Sequence, residues 1–190
     1  MKIDPSKITD FERSTDDLQR FLLFSISVAG KNSKTIANQL WLFEEWLVSE
    51  YDGPTLFHRL RQMDNKKLTT VLKWLGFGCY NQRAKAFLSA AWSGINLEHC
   101  SISQLEQIHG VGFKTSRFFI MHSRPNAQIA VLDVHILKWL RYKGINAPKQ
   151  TPGSSRRYVE LEQKFLGLSR DMGRDPAELD LEIWNSYAKG

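Results

Sequence analysis

Leu105-Glu106-Gln107-Ile108-His109-Gly110-Val111-Gly112-Phe113-Lys114-Thr115-Ser116 reads as helix, glycine turn, helix. Two glycines around one apolar residue let the backbone reverse sharply and bring its amides to the start of the second helix. Those N–H groups, with the helix dipole, form a seat for a phosphate oxygen. Such a seat holds a nucleic-acid backbone without reading sequence. Taken alone, a Gly-x-Gly turn is equally an ordinary helix–helix connection.

Outward from this hairpin the chain keeps a helical period. Ser14 followed by Asp16 and Asp17 predicts a helix start, with Leu18, Phe21, Leu22 and Ser25 on one face and Gly30 as its end. From about Ser33, Ile36, Leu40, Phe43 and Leu47 recur at helical spacing. Pro54 suits a first helical position, Asp64 a cap, and Tyr80 to Trp92 a further helix. Ser101 opens a short helix through Ile108, and another begins near Lys114. Asp133 caps the next, and two helices, Ser155 to Gly167 and Asp175 to Ala188, close the chain. Alternating runs of β-branched residues are absent, so the expected fold is all-α.

Composition narrows the partners. The 190 residues carry 26 Lys and Arg against 20 Asp and Glu, a net charge of +6, which favours a polyanionic partner. The longest apolar stretch, Phe21 to Ala29, is too short for a bilayer span, and residues 1–10 do not resemble a secretory signal. An intracellular protein of the cytoplasm or nucleoid, with no membrane partner, is expected. Two cysteines, Cys79 and Cys100, are too few for a disulfide framework or an all-cysteine metal site. His58, His99 and His122 lack metal-ligand spacing, and Ala29-Gly30-Lys31 lacks the earlier glycine of a P-loop.

Lys114 and Asp133 form the sharpest constellation. A helix from Lys114 to His122 is about 13 Å long, and Ser123 to Leu132 can span that distance in return. Both residues then sit at helix starts on the same side of the domain. A lysine at a helix N-terminus is opposed by the dipole, a cost that makes sense if the neutral amine is wanted. Singly, Lys114 also reads as a solvated or phosphate-binding lysine and Asp133 as a plain cap.

The helix, Gly110-Val111-Gly112, Lys114 and downstream Leu132-Asp133-Val134-His135 resemble the helix-hairpin-helix DNA glycosylase superfamily. The lysine at this place marks its bifunctional members. Small size, Val28-Ala29-Gly30-Lys31-Asn32, Ala130-Val131-Leu132-Asp133 and Leu179-Asp180-Leu181-Glu182-Ile183-Trp184 are most similar to the archaeal-type 8-oxoguanine DNA glycosylase/AP lyases, which also occur in bacteria and phages. The resemblance implies a single two-lobed unit over 1–190. One lobe is about 30–132, including the hairpin at 105–122, and the other is 1–29 plus 133–190. It implies no iron–sulfur cluster, because the four-cysteine motif is absent, and no metal or organic cofactor in the chemistry. A structural monovalent cation on backbone carbonyls of the hairpin is compatible with it.

By that resemblance the substrate is double-stranded DNA with a damaged base, the protein acts as a monomer, and Lys114 and Asp133 are catalytic. Lys114 adds to C1′ as an oxidised purine, 8-oxoguanine, leaves, and β-elimination follows. His109, Gly110, Gly112, Thr115 and His135 are the expected DNA-backbone contacts; His135 alternatively orients Asp133 or faces solvent. Trp184 and Phe24 are candidates for the base pocket or for core packing. Lys31, Lys34, Arg83, Lys85, Arg117 and Arg124 are further phosphate candidates. Two departures stand out: His109 replaces the usual proline before the hairpin, and the chain ends Ala188-Lys189-Gly190 with a shorter tail after Trp184. The excised base therefore stays open between 8-oxoguanine and an oxidised pyrimidine or modified phage base. A non-catalytic DNA-binding module and a helical protein–protein adaptor are the rival classes.

Overall fold

The computed structural model describes residues 2–187, and every regular element among them is helical. After a 3-10 turn at Pro5–Lys7 come α1 (Thr15–Val28), α2 (Ser33–Glu50), α3 (Leu56–Leu60), α4 (Asn65–Trp74), α5 (Tyr80–Trp92) and α6 (Ile102–Leu105). They are followed by α7 (Phe113–Ser123), α8 (Val134–Tyr142), α9 (Ser155–Asp171) and α10 (Pro176–Tyr187). The predicted caps work as capping chemistry requires. Ser14, Asp64 and Asp133 accept from first-turn amides, and Ser101 completes a capping box with Gln104. Thr55, rather than Pro54, sets the start of α3, since its hydroxyl accepts from the His58 amide. Helix α6 stops at Leu105, short of Ile108. Gly167 does not end α9, which runs on to Asp171 before Gly173 turns at φ +64°.

Contacts divide the chain into two compact units, Met1–Gly112 and Phe113–Gly190. In the first unit α1 packs against α2, α3 and α5. Every residue from Leu18 to Ser27 is buried, so the helix is enclosed on all sides. Two of its polar side chains reach other elements: Gln19 accepts from the Phe57 amide at 2.8 Å, and Arg20 donates to Glu44 at 2.5 Å. Phe43, Phe77 and Phe87 pack as a triad with centroids 6.0–6.5 Å apart. The sequence reading had set 1–29 beside 133–190, whereas these contacts tie α1 to the helices that follow it.

In the second unit α10 packs against α7, α8 and α9. Ile136, Leu137 and Leu140 of α8, Tyr158, Leu161 and Phe165 of α9, and Leu179 and Ile183 of α10 form its core. The link from α7 to α8 passes through this core as an extended segment, Ala130–Leu132, whose backbone must find partners outside any ladder. Side chains of α9 supply them. Glu162 accepts from the Ala130 amide at 3.0 Å, while the Tyr158 hydroxyl donates to the Ala130 carbonyl and accepts from the Leu132 amide, both at 3.0 Å. Thr151 donates to the Leu132 carbonyl at 2.7 Å. The same Glu162 oxygen takes a hydrogen bond from Arg117 Nε of α7 at 2.8 Å.

Two stability measurements test this account. Phe43→Ala empties the centre of the first unit and is expected to cost about 3–5 kcal/mol in urea unfolding of the full chain. Tyr158→Phe removes only the hydroxyl and is expected to cost about 1–3 kcal/mol, because a buried carbonyl and a buried amide both lose their partner. A Tyr158→Phe protein as stable as the parent shows that the hydroxyl carries no weight.

Candidate active site

Lys114 is the second residue of α7, half-buried, in the turn where helix amides lack intrahelical partners. That turn is held in place by aromatic packing. The Phe113 ring lies 5.6 Å from Tyr158, and the Arg117 guanidinium stands 4.4 Å over the same tyrosine. Thr115 follows, half-buried in the same turn.

Asp133 is reached directly from the Ala130–Leu132 segment. Its Oδ1 accepts from the His135 and Ile136 amides at 2.8 and 2.9 Å, which orients the carboxylate as the cap of α8. Its Oδ2 takes no hydrogen bond among the described residues. Lys114 and Asp133 both act electrostatically on Asp180 of α10, the lysine favouring the charge of that carboxylate and Asp133 opposing it. Lys114 and Asp133 each stand at a helix start of the second unit.

His135 and Trp184 meet in the same unit. Their rings are 6.4 Å apart edge to face, and His135 stacks on Tyr187 at 6.2 Å. Trp184 is half-buried, leaving part of its ring open. Phe24 is different: it lies in α1 of the first unit, 1% exposed and stacked on Phe21, as a core residue there.

His109, Gly110 and Gly112 belong to the first unit and are exposed. The His109 amide donates to Ser89 Oγ of α5 at 3.0 Å, and its ring Nε2 is 3.3 Å from Gln82 Oε1. A proline here has no amide to give, so the histidine replaces a rigid ring with two ties to α5. Gly110 turns at φ +80°, and a Cβ added there would come within 3.3 Å of Ala86.

Among the phosphate candidates, Lys31, Lys34 and Lys85 are exposed. Arg83 and Arg117 are not available for that role. Arg83 is 5% exposed and donates to the Ser27 and Gly78 carbonyls, and Arg117 is 7% exposed against Glu162. Both spacings put a long stem on a buried face, and each charged head is satisfied inside. Sequence reasoning missed the buried polar residues of this unit: Tyr158 and Glu162, which hold the segment leading to Asp133, and His122 beside Asp180. Asp180 and Tyr158 do carry a signal, because each stands in the apolar stripe of its helix, with Ala177 and Ile183, and with Leu161 and Phe165. The tail Ala188-Lys189-Gly190 lies outside the described residues.

Known proteins resemble this chain in sequence and in fold. A family model described as 8-oxoguanine DNA glycosylase matches residues 55–174, which include Lys114 and Asp133. An 8-oxoguanine DNA glycosylase/AP lyase of Picrophilus torridus is 30% identical over 137 residues, covering 67% of this chain and 63% of that protein. The Thermoplasma volcanium protein of the same name is 33% identical over 90 residues, 47% of this chain and 42% of its own length. The matches thus span less than two thirds of either relative. The crystal structure of the 8-oxoguanine DNA glycosylase of Thermotoga maritima superposes with a TM-score of 0.74 at 18% identity, covering 93% of this chain and 82% of that one. The Methanocaldococcus jannaschii 8-oxoguanine glycosylase/lyase, in complex with a 15mer DNA containing 8-oxoguanine, superposes with a TM-score of 0.71 at 20% identity, covering 97% and 87%. These two likenesses concern the fold. The family model spans more than half of the sequence and contains both the hairpin and the lysine–aspartate pair, so the chain belongs to the 8-oxoguanine DNA glycosylase family, on a helix-hairpin-helix glycosylase fold.

Proposed function

We propose that the protein is a bifunctional DNA glycosylase/AP lyase that excises 8-oxoguanine from double-stranded DNA and nicks the strand. The observation that carries the reading is that Lys114 and Asp133 each stand at a helix start of one compact unit. Backbone binding alone needs neither residue, which weighs against a non-catalytic module. Membership of the family and the named relatives support 8-oxoguanine over other damaged bases.

In this reading the damaged nucleotide leaves the stack, at a cost of roughly a few kcal/mol. Lys114 Nζ attacks C1′ as the base departs, and Asp133 Oδ2, with no hydrogen bond among the described residues, stabilises the positive charge developing on the sugar. The covalent imine acidifies the C2′ proton, and β-elimination expels the 3′ phosphate. The exposed hairpin glycines and His109, with Thr115 and His135, contact the DNA backbone. Trp184 offers its open ring to the extruded base.

Base release and β-elimination as written need only the lysine nitrogen and the aspartate carboxylate, so the reading calls for no cofactor. A monovalent cation at the hairpin would rest on main-chain carbonyls and serve structure only. Among the described residues, no helix is long and apolar enough to cross a membrane.

Borohydride trapping on an 8-oxoguanine duplex tests the proposal. The natural protein is expected to form a covalent adduct, and Lys114→Gln to form none while retaining DNA affinity. Asp133→Asn is expected to slow base release by about 10²–10³-fold with binding largely intact. Equal trapping by the parent and Lys114→Gln means that the nucleophile lies elsewhere. Parallel duplexes carrying an oxidised pyrimidine decide between base classes.

A further inference from the structure

Six basic residues and no acid fall between Val134 and Val159, so this stretch of the second unit favours a polyanion. Three of the six are occupied. Arg141 donates to the Pro148 carbonyl at 2.5 Å, and Arg157 to Glu160 at 2.6 Å. Lys143, just past the end of α8, lies against Trp139 and Tyr142. Lys138 is exposed, makes no ion pair among the described residues, and holds its Nζ 4.6 Å over the Tyr187 ring of α10.

The same ring carries His135. The imidazole stacks on Tyr187 with centroids 6.2 Å apart and planes 20° from parallel, while Trp184 meets it edge to face at 6.4 Å. His135 and Lys138 are three residues apart and so are neighbours on α8, and one tyrosine holds both. A free lysine stem samples many rotamers, and ordering it at a phosphate weakens binding. A ring under the ammonium orders it beforehand. The N–H bonds turned away from the ring remain available, and the imidazole offers a further donor. On α10, Glu182 does not compete for this ammonium, because it takes Arg174 at 2.7 Å.

We propose that Lys138 binds a DNA phosphate next to the one assigned above to His135, and that Tyr187 is the positioning residue that presents both. Lys138 lies five residues after Asp133, about 7.5 Å along the helix. A strand whose sugar is held at Asp133 therefore has backbone within reach of it. Tyr187 acts through its ring and not through its hydroxyl. The inference deepens the glycosylase/lyase reading and rests on it.

The test is equilibrium binding of the full chain to a duplex containing a tetrahydrofuran abasic analogue, which Lys114 cannot nick, over about 50–200 mM salt. Lys138→Gln is expected to bind about tenfold more weakly at the lowest salt and to reduce the slope of log affinity against log salt by about one. Tyr187→Leu removes no charge, yet is expected to lower affinity and slope in the same direction. Tyr187→Phe keeps the ring and is expected to match the parent. Parent-like affinity and slope in Lys138→Gln overturn the inference. So does a parent-like slope in Tyr187→Leu, which would leave the ring as packing between α8 and α10, or weakened binding by Tyr187→Phe. If Tyr187→Leu does not fold, Lys138→Gln and Tyr187→Phe decide by the same criteria. Failure of the natural protein to bind the duplex at all defeats the glycosylase reading instead.

Discussion

Glu162 and Arg117 are almost sealed from water, with side chains 7% and 8% exposed, and the rest of the second unit depends on their contact. Removing two charges from solvent is costly and is offset only when every polar atom finds a partner. Here one carboxylate oxygen serves both the guanidinium and the Ala130 amide, and the guanidinium lies on the Tyr158 ring. The pair therefore does more than neutralise itself: it ties α7 to the segment that becomes α8. Lys114 is three residues before Arg117, less than one turn away, and Asp133 follows the anchored segment at once. Loosening the ion pair would release both at the same time.

The first unit applies the same physics elsewhere. An all-buried α1 cannot leave Gln19 or Arg20 unmatched, and each reaches a partner on another helix or at a helix start. Arg83 closes the C-terminal end of α1 by bonding the Ser27 carbonyl, which a solvated phosphate-binding arginine would leave open. His109 exchanges the rigidity of proline for an amide bond and a ring contact to α5. Arg83 and His109, which look available for DNA in the sequence, are thus engaged in fixing backbone or neighbouring side chains, while Lys31, Lys34 and Lys85 are exposed.

How much of this was legible in the sequence follows from the range of the interactions. Caps are local, so Ser14, Asp64, Ser101 and Asp133 could be read from their neighbours, and with them most helix starts. That Lys114 and Asp133 stand at helix starts was legible because the glycine turn and the cap residue are both local signals. Helix ends were less so, since Gly167 resembles a stop but sits in a helix whose packing on α10 and α8 carries it through to Asp171. The buried pairs were not legible. Arg117 and Glu162 are 45 positions apart and look like surface charges until the fold brings them together. Asp180 was visible only as an acid in an apolar stripe, and nothing in its neighbours names His122 as its contact.

Asp133 and Asp180 also show why residue type alone assigns no role. Both are aspartates of the second unit, but their surroundings are opposite. Asp133 stands at a half-buried helix start, with two amides on one oxygen and the other open, an arrangement that suits a charge facing a cation in the transition state. Asp180 is enclosed, has an oxygen with no hydrogen bond among the described residues, and is driven towards its neutral form. The same residue type is thus a cap at a half-buried helix start in one case and an enclosed carboxyl 3.7 Å from His122 in the other.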